Sequence, residues 1–214
     1  MPESVVVHRP YGPASSLLLL FHGVGSSAEN LVPVGEFLAA AFPLACIVSV
    51  DAPNASDMGP GRQWFSVRGV TEENRAGRVQ TCMPRFQHAV GDWQRQAELS
   101  PEATVLLGFS QGAIMALEST QLAVPLAARV VSICGRFAVA PHRAPERTRV
   151  HLVHGEQDPV IPVTQSIRAA EQLAALGASV SCDVIPGLGH GIDSRVLDRV
   201  SDRLREASLG PAAS

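Results

Sequence analysis

Short runs of aliphatic and β-branched residues alternate along the chain with longer stretches in which apolar residues recur every three or four positions. The short runs predict strands, and the longer stretches predict amphipathic helices. Strands are predicted at Val5–His8, Leu17–His22, Cys46–Val50, Thr104–Phe109, Val130–Ile133, Arg149–His154 and Ser179–Val184. Helices are predicted at Glu29–Phe42, within Glu72–Leu99, and at Gln111–Gln121, Thr164–Leu176 and Ile192–Leu204. Strands joined by crossover helices predict an α/β fold: a single mostly parallel sheet with helices on both faces.

One domain accounts for this pattern. The 214 residues are enough for one α/β domain with its own core, and no repeat, low-complexity tract or linker interrupts them. We therefore expect a single domain over residues 1–214, with a frayed tail at 208–214. Asp51–Thr71 shows no clear periodicity, and long irregular loops in compact domains are often functional. Its Trp64–Phe65 pair is expected either to line a pocket or to act as an aromatic staple that holds the loop in place.

Composition and charge exclude several classes of protein. The chain is 46% hydrophobic and 17% charged, as in globular proteins, and its net charge is −3. No cluster of basic residues stands out that could bind along the phosphate backbone of a nucleic acid, so no nucleic-acid partner is expected. No apolar run is long enough to cross a bilayer, and the first ten residues lack the features of a signal peptide. We expect no membrane insertion, and a monomer or homodimer.

The cysteines indicate the cellular compartment of the protein rather than a metal site. The four cysteines are widely spaced: Cys46, Cys82, Cys134 and Cys182. This spacing predicts buried free thiols in a reducing environment, and hence a cytoplasmic protein. No Cys-x-x-Cys or His-Glu-x-x-His spacing is present, so no metal site is predicted.

The segment Gly108–Gly112 reads Gly-Phe-Ser-Gln-Gly and matches the pattern G-x-S-x-G. It follows a predicted strand directly and opens a predicted helix, which is the setting of a nucleophile elbow. This context predicts Ser110 as a nucleophile. The alternative is that Ser110 only caps the helix that follows it.

A nucleophilic serine needs a histidine base. Of the seven histidines, His190 alone lies in a glycine-flanked loop, residues 187–191, after the last predicted strand. Loops at the carboxyl ends of parallel strands form the sites of α/β proteins, so His190 is the predicted base. His22 and His154 each precede a glycine at a strand end, where we expect them to brace loops.

The base needs an acid to orient it. Asp158 follows the strand that precedes the His190 strand and is the predicted acid, with nearby Glu156 as its rival. The chain order Ser110, Asp158, His190 is the order found in α/β-hydrolases.

Two backbone N–H groups must also stabilise the oxyanion of the reaction. The residue after the nucleophile, Gln111, supplies one of them. The glycine-rich loop at residues 21–26 is expected to supply the other. The same loop could be a phosphate-binding turn, but it lacks the lysine of a Walker A motif and a full G-x-G-x-x-G. No cofactor is predicted.

These motifs together resemble the phospholipase/carboxylesterase family of α/β-hydrolases, which includes acyl-protein thioesterases and small bacterial carboxylesterases. The segments that carry the resemblance are His22–Gly25, Gly108–Gly112, His154–Pro159 and Gly189–His190. The resemblance extends from Leu17 to about Leu204. It implies an α/β-hydrolase fold with no cap domain, because the chain is too short to include one.

The resemblance also implies residue roles. Ser110, Asp158 and His190 would form the catalytic triad, the amides of Val24 and Gln111 the oxyanion hole, and Trp64, Phe65 and Gly23 the substrate-binding residues. The implied activity is a cofactor-free serine carboxylesterase that hydrolyses short-to-medium acyl esters, with thioesters as a further option. Ser26 stands where acyl-protein thioesterases commonly have an aspartate, which weakens any transfer of their substrate preference.

Three alternatives to this activity stay open. The first is an acyl-protein thioesterase or lysophospholipase activity, and the second is hydrolysis of a carbon–carbon bond on the same fold. The third is a non-catalytic receptor for small molecules. Receptors on this fold usually lack a triad residue, whereas all three predicted triad residues are present in this chain.

Overall fold

A computed structural model describes residues 4–206. The strands are Val5–His8 (β1), Ser16–Phe21 (β2), Ala45–Val50 (β3), Asn54–Ala55 (β4), Arg62–Gln63 (β5), Thr104–Phe109 (β6), Arg129–Ile133 (β7), Arg149–Gly155 (β8) and Val180–Ile185 (β9). The α-helices are Val32–Ala41 (α1), Glu72–Ala97 (α2), Gln111–Ser119 (α3), Thr164–Ala175 (α4) and Ser194–Arg205 (α5). Short 3₁₀ helices at Ala28–Leu31 and Pro101–Ala103 precede α1 and β6. The predicted tail at 208–214 lies outside the described residues.

Seven of these strands form one sheet in the order β1-β3-β2-β6-β7-β8-β9. The β1 strand runs antiparallel to β3, and the other neighbouring pairs are parallel. The register between β2 and β6 is continuous, from Leu17 opposite Thr104 to Phe21 opposite Gly108. Parallel strands end at the same edge, so the loops after β2, β6, β8 and β9 meet there. The prediction of a mostly parallel sheet is confirmed.

Helices cover both faces of the sheet. On one face, Val34 of α1 and Val196 of α5 belong to the same apolar cluster. On the other, Phe86 of α2, Met115 of α3 and Leu173 of α4 form the larger cluster. Every residue of β3 is buried, which explains its continuous apolar run. The predicted two-sided covering of the sheet is confirmed.

Prolines account for details of the helices that periodicity misses. The helix predicted at 29–42 is divided into a 3₁₀ turn and α1, with Pro33 in the first turn of α1, where a missing N–H breaks no intrahelical bond. The α2 helix continues through Pro84, although proline removes one such bond. Its start is capped, because the Thr71 hydroxyl accepts a hydrogen bond from the amide of Asn74 at 3.3 Å.

The segment Asp51–Thr71 is more ordered than its lack of periodicity suggests. The β4 and β5 strands pair within it as a short antiparallel hairpin. The Gly25 amide donates to the Arg62 carbonyl at 2.9 Å, and the Arg62 amide donates to the Ser26 carbonyl at 2.7 Å. Two-residue strands are too short to produce a period, so sequence alone could not reveal them. The hairpin therefore fixes this segment to the loop at 21–26.

All four cysteines carry free thiols; Cys46, Cys82 and Cys134 are buried, and Cys182 is partly exposed. The prediction of free thiols is confirmed, with the correction that Cys182 lies on a partly exposed strand. Across residues 4–206, no helix combines the length and apolar character of a membrane span.

Candidate active site

Ser110 lies in the sharp turn between β6 and α3. Its backbone has φ +52° and ψ −114°, a conformation that L residues seldom adopt. Ser110 occupies the position that precedes the first turn of α3, but its hydroxyl makes no capping hydrogen bond. Instead, the hydroxyl oxygen lies 2.9 Å from Nε2 of His190. The strained turn thus directs the hydroxyl to the histidine rather than to the helix.

The turn packs directly on the end of β2. A Cβ atom at Gly112 would lie 2.1 Å from the carbonyl oxygen of Phe21, closer than any real contact. The position therefore accepts only glycine without a backbone shift. This close approach places Ser110 beside the loop that follows β2.

The loops after β8 and β9 bring Asp158 and His190 to the same place. The Gln157 amide donates to the Leu188 carbonyl at 2.8 Å and joins the two loops. His190 Nδ1–H donates to Asp158 Oδ2 at 2.7 Å, since a carboxylate can only accept. His190 Nε2 then accepts from the Ser110 hydroxyl. Three residues far apart in sequence thus form one hydrogen-bonded chain.

The side chain of Asp158 is fully buried and accepts several hydrogen bonds. Its Oδ1 accepts from the amides of Val160 and Ile161 at 2.8 and 2.9 Å. Burial by itself raises the pKa of Asp158, but hydrogen bonds from His190 and the two amides outweigh it and hold the pKa below its usual value. The rival, Glu156, is exposed and accepts from a backbone amide of the neighbouring loop at 3.0 Å. The geometry therefore pairs His190 with Asp158.

His22 organises the loop at 21–26. The Ala52 amide donates to His22 Nε2 at 3.0 Å, so the ring hydrogen is on Nδ1, which donates to the Gly23 carbonyl at 2.7 Å. Burial is the main cause that lowers the pKa of His22 and keeps it neutral. In a trans peptide the N–H points away from the C=O, so the Val24 N–H faces away from His22. The expectation that His22 braces a loop is confirmed.

The amides of Val24 and Gln111 are candidate oxyanion donors. Neither donates a hydrogen bond to any other residue within 4–206. Gly23 lies against Ser110: a Cβ at Gly23 would be 3.1 Å from that of Ser110. The loop carrying Val24 and the turn carrying Gln111 are therefore in contact, and the role of these two amides as oxyanion donors stays a prediction.

Trp64 and Phe65 lie in the core, with 1% and 6% of their surfaces exposed. The Trp64 ring packs edge-on against Phe21 and Phe86, with centroids 5.7 and 5.2 Å away. The Gln111 side chain holds this segment: its Oε1 accepts from the Trp64 amide at 2.7 Å, and its Nε2 donates to the Phe65 carbonyl at 2.8 Å. The structure thus favours the aromatic staple.

Trp64 and Phe65 also form part of the wall of a cavity. Trp64 and Phe65 line a cavity of about 350 Å³ beside α2, together with Arg78 and Arg85. Ser110 is not among the residues that line it. Substrate contacts of Trp64 and Phe65 stay a prediction.

Two residues near the triad were missed in the sequence. The Phe109 ring lies 5.0 Å from that of His190, and its position inside G-x-S-x-G was the available signal. Cys134 has φ +49° and brings its sulfur within 4.8 Å of ligand-type atoms of His154 and Asp158. Burial raises the pKa of the Cys134 thiol to about 11. Cysteine, histidine and aspartate also bind metals, but here Asp158 already accepts hydrogen bonds from His190 and two amides.

The comparisons with known proteins agree with this site. The family model described as phospholipase/carboxylesterase matches residues 2–208. Esterase YpfH of Escherichia coli (strain K12) is 46% identical over 95% of this chain and 88% of its own length. The motifs at 61–67, 71–75 and 108–118 indicate a likeness to that esterase, which this identity confirms. An acyl-protein thioesterase 1 of Gibberella zeae is 31% identical over 57% of this chain and 55% of its own.

The solved structures support the same fold. The crystal structure of esterase PE8 superimposes with a TM-score of 0.84, at 31% identity, over 96% of this chain and 97% of that one. The chain belongs to the phospholipase/carboxylesterase family and has an α/β-hydrolase fold. No separate cap is present within residues 4–206. The resemblance predicted from the motifs is confirmed, and the protein is a carboxylic ester hydrolase.

Proposed function

We propose that the protein is a cofactor-free serine carboxylesterase in which Ser110, His190 and Asp158 act as the catalytic triad. The observation that carries this proposal is the hydrogen-bonded chain from the Ser110 hydroxyl through His190 to the buried Asp158 carboxylate. This arrangement supports the proposal, because a serine nucleophile requires a base and an acid that orients the base.

The reaction proceeds in two halves. Ser110 Oγ attacks the acyl carbon while its proton passes to His190 Nε2, and His190 then gives that proton to the departing alcohol oxygen. The acyl group is left on Ser110. A water molecule next attacks this ester, gives its proton to His190 and releases the acid, and the proton returns to Ser110. Asp158 keeps the Nδ1 hydrogen in place and stabilises the imidazolium.

The oxyanion is held by backbone groups. Each tetrahedral intermediate places a negative charge on the former carbonyl oxygen, and the free amides of Val24 and Gln111 donate to it. Gly23 leaves room for the substrate next to Ser110, because a Cβ atom at this position would lie only 3.1 Å from the Cβ of Ser110. The positive N-terminal end of α3 adds to this stabilisation.

The substrate class follows from the open architecture and the family. We assign short-to-medium acyl esters, because no cap covers the site within the described residues. Trp64 and Phe65 are proposed to border the acyl group. A second candidate activity, hydrolysis of acyl-protein thioesters, is supported by the 31% identity to acyl-protein thioesterase 1. Comparison of matched oxygen esters and thioesters distinguishes the two activities.

The setting of this activity is also a proposal. We assign residues 1–214 to one catalytic domain that acts in the cytoplasm as a monomer or homodimer, on small-molecule esters and without nucleic acid. The four free thiols support a reducing compartment.

The decisive experiment is labelling of the active serine. Wild-type protein and Ser110→Ala are incubated with a fluorophosphonate, and their intact masses are measured. We expect one adduct on the wild type and none on Ser110→Ala, whose turnover should fall by on the order of 10⁴. Ser119→Ala, at the far end of the helix that follows Ser110, is the matched control and should label normally. A folded wild type that takes no label would overturn the proposal in favour of a receptor.

A further inference from the structure

His154 lies beside the proposed triad at the end of β8, and both nitrogens of its ring are engaged. The side chain is fully buried. Its Nε2 lies 2.8 Å from the carbonyl oxygen of Ile161 and 3.2 Å from Oδ2 of Asp158. Its Nδ1 lies 2.7 Å from the hydroxyl oxygen of Ser166, which is itself buried at the start of α4.

These partners determine where the ring hydrogen is. A carbonyl oxygen can only accept, so the hydrogen is on Nε2. Burial is the main cause that lowers the pKa of His154 and keeps the ring neutral, so Nδ1 has no hydrogen and accepts from Ser166. The Nε2–H is therefore shared between the carbonyl of Ile161 and the carboxylate of Asp158.

Asp158 Oδ2 thus lies between two imidazoles, with His190 at 2.7 Å on one side and His154 at 3.2 Å on the other. We propose that His154 is a positioning residue for the reaction: its Nε2–H holds Asp158 Oδ2 in line with His190, and Ser166 holds His154 in the required tautomer. The inference rests on the proposed function, because it assigns His154 to the support of that triad.

The groups around Asp158 other than His190 are neutral, and this affects how the Asp158 charge acts on His190. The titratable groups that face Asp158 are His190, His154 and the Cys134 thiol. His154 is held neutral by burial, and the pKa of Cys134 is raised to about 11, so neither carries charge near neutral pH. Among these groups, the negative charge of Asp158 therefore stabilises only the imidazolium that forms on His190. A charged neighbour on the same oxygen would compete for it.

Three variants separate positioning from packing. His154→Leu removes the donor at similar volume, His154→Gln restores an N–H at about the same reach, and Ser166→Ala removes the group that sets the tautomer. For each, kcat and KM for a soluble short-chain ester are measured from about pH 5 to pH 9, a range that spans histidine titration. Thermal unfolding monitored by circular dichroism checks that each variant is folded.

We expect His154→Leu to lower kcat by about tenfold or more and to leave KM within about twofold, since a hydrogen bond to a charged group is lost. The acid limb of the kcat/KM profile should also move to higher pH, because Asp158 with fewer donors is more basic and holds the proton on His190 more firmly. His154→Gln should recover most of the activity and return the acid limb. Ser166→Ala should lower kcat and move the acid limb to higher pH, each by less than His154→Leu does. It provides the test if His154→Leu does not fold.

Two results would overturn the inference. One is a folded His154→Leu with wild-type kcat and an unmoved acid limb. The other is a fall in kcat with no movement of the limb and no recovery in His154→Gln, which would leave His154 as a packing residue. Fluorophosphonate labelling separates the two proposals: an unlabelled wild type rejects the triad itself, whereas equal labelling rates in wild type and His154→Leu reject only the role of His154.

Discussion

The Ser110 hydroxyl turns away from the helix that it precedes. Serine at this position ordinarily bonds an amide of the first turn, but here the hydroxyl donates to His190 at 2.9 Å. The backbone of Ser110 accepts a positive φ to achieve this, and such strain is typical of functional sites. The imidazoles of His190 and His154 and the carboxylate of Asp158 complete the group of residues around Ser110.

The choice of acid can be tested with matched amide substitutions. Asp158→Asn should lower kcat by on the order of 10⁴, because an amide favours the wrong tautomer of His190. Glu156→Gln, two residues earlier in the same loop, should leave kcat within about threefold, because Glu156 is exposed and bonds only backbone. Steady-state kinetics on both variants provides the measurement. A larger loss in Glu156→Gln would reverse the assignment.

At the scale of elements, the site depends on loops pressed onto the ends of strands. The turn after β6 packs on β2, and the loops after β8 and β9 are joined by a backbone hydrogen bond. The β4–β5 hairpin is fixed to the loop at 21–26 in the same way. Each loop is held by backbone atoms of another element, so the geometry of the site is set by packing rather than by local preference.

The same substitution at two glycines should have opposite effects on stability. Gly112→Ala would place a Cβ 2.1 Å from the Phe21 carbonyl, so it should lower the free energy of unfolding by about 2 kcal/mol or more. Gly77→Ala lies in α2 with open space around it, and should raise that free energy by about 0.5–1 kcal/mol. Chemical denaturation measures both changes. Equal effects at the two positions would contradict the proposed packing of the turn.

The β8 strand contains a buried base that links stability to pH. The His151 side chain is fully buried, and burial is the main cause, with the charge of Arg129, that lowers its pKa from 6.5 to about 4. The unfolded chain therefore binds the proton more tightly than the folded one. The free energy of unfolding should fall as the pH is lowered from 6.5 towards 4, by up to about 3 kcal/mol from this residue.

His151→Leu should remove this part of the acid sensitivity. Denaturation at about pH 7 and about pH 4.5 should show a smaller loss on acidification than in the wild type. His142→Gln, at an exposed position, is the control and should follow the wild type. An unchanged pH dependence in His151→Leu would show that His151 does not link folding to protonation.

Taken as a whole, residues 4–206 form an α/β-hydrolase core without a separate cap. The two helical layers enclose the sheet, and the site lies at the strand edge where the loops meet. A site without a cap does not require a lipid surface to open it.

The open site predicts how rate depends on substrate. Butyryl and hexanoyl esters should be turned over at least about tenfold faster than a palmitoyl ester, which needs a longer apolar channel. The rate should also level off, with no abrupt increase, as the ester concentration passes its solubility limit, because the concentration of dissolved ester is constant above it. Initial rates across an acyl series, below and above that limit, measure both effects. An abrupt increase at the limit would indicate a lid.

Local patterns in the sequence are sufficient to predict the seven strands of the main sheet, the α-helices and the candidate chemistry. Strand runs such as 104–109 and helical periods such as 72–99 are local signals of burial, and a short apolar strand before G-x-S-x-G is enough to indicate an elbow. The placement of Asp158 and His190 in loops after consecutive parallel strands also follows, because such strands end at one edge.

Which of these residues are in contact follows only from the packing of distant elements. Ser110 and His190 are separated by 80 positions, and nothing local encodes the hydrogen bond between them. The packing of Trp64 on Phe21 and Phe86 and the attachment of the β4–β5 hairpin to the loop at 21–26 have the same origin. Each depends on contacts between elements distant in sequence, and such contacts leave no period and no motif behind.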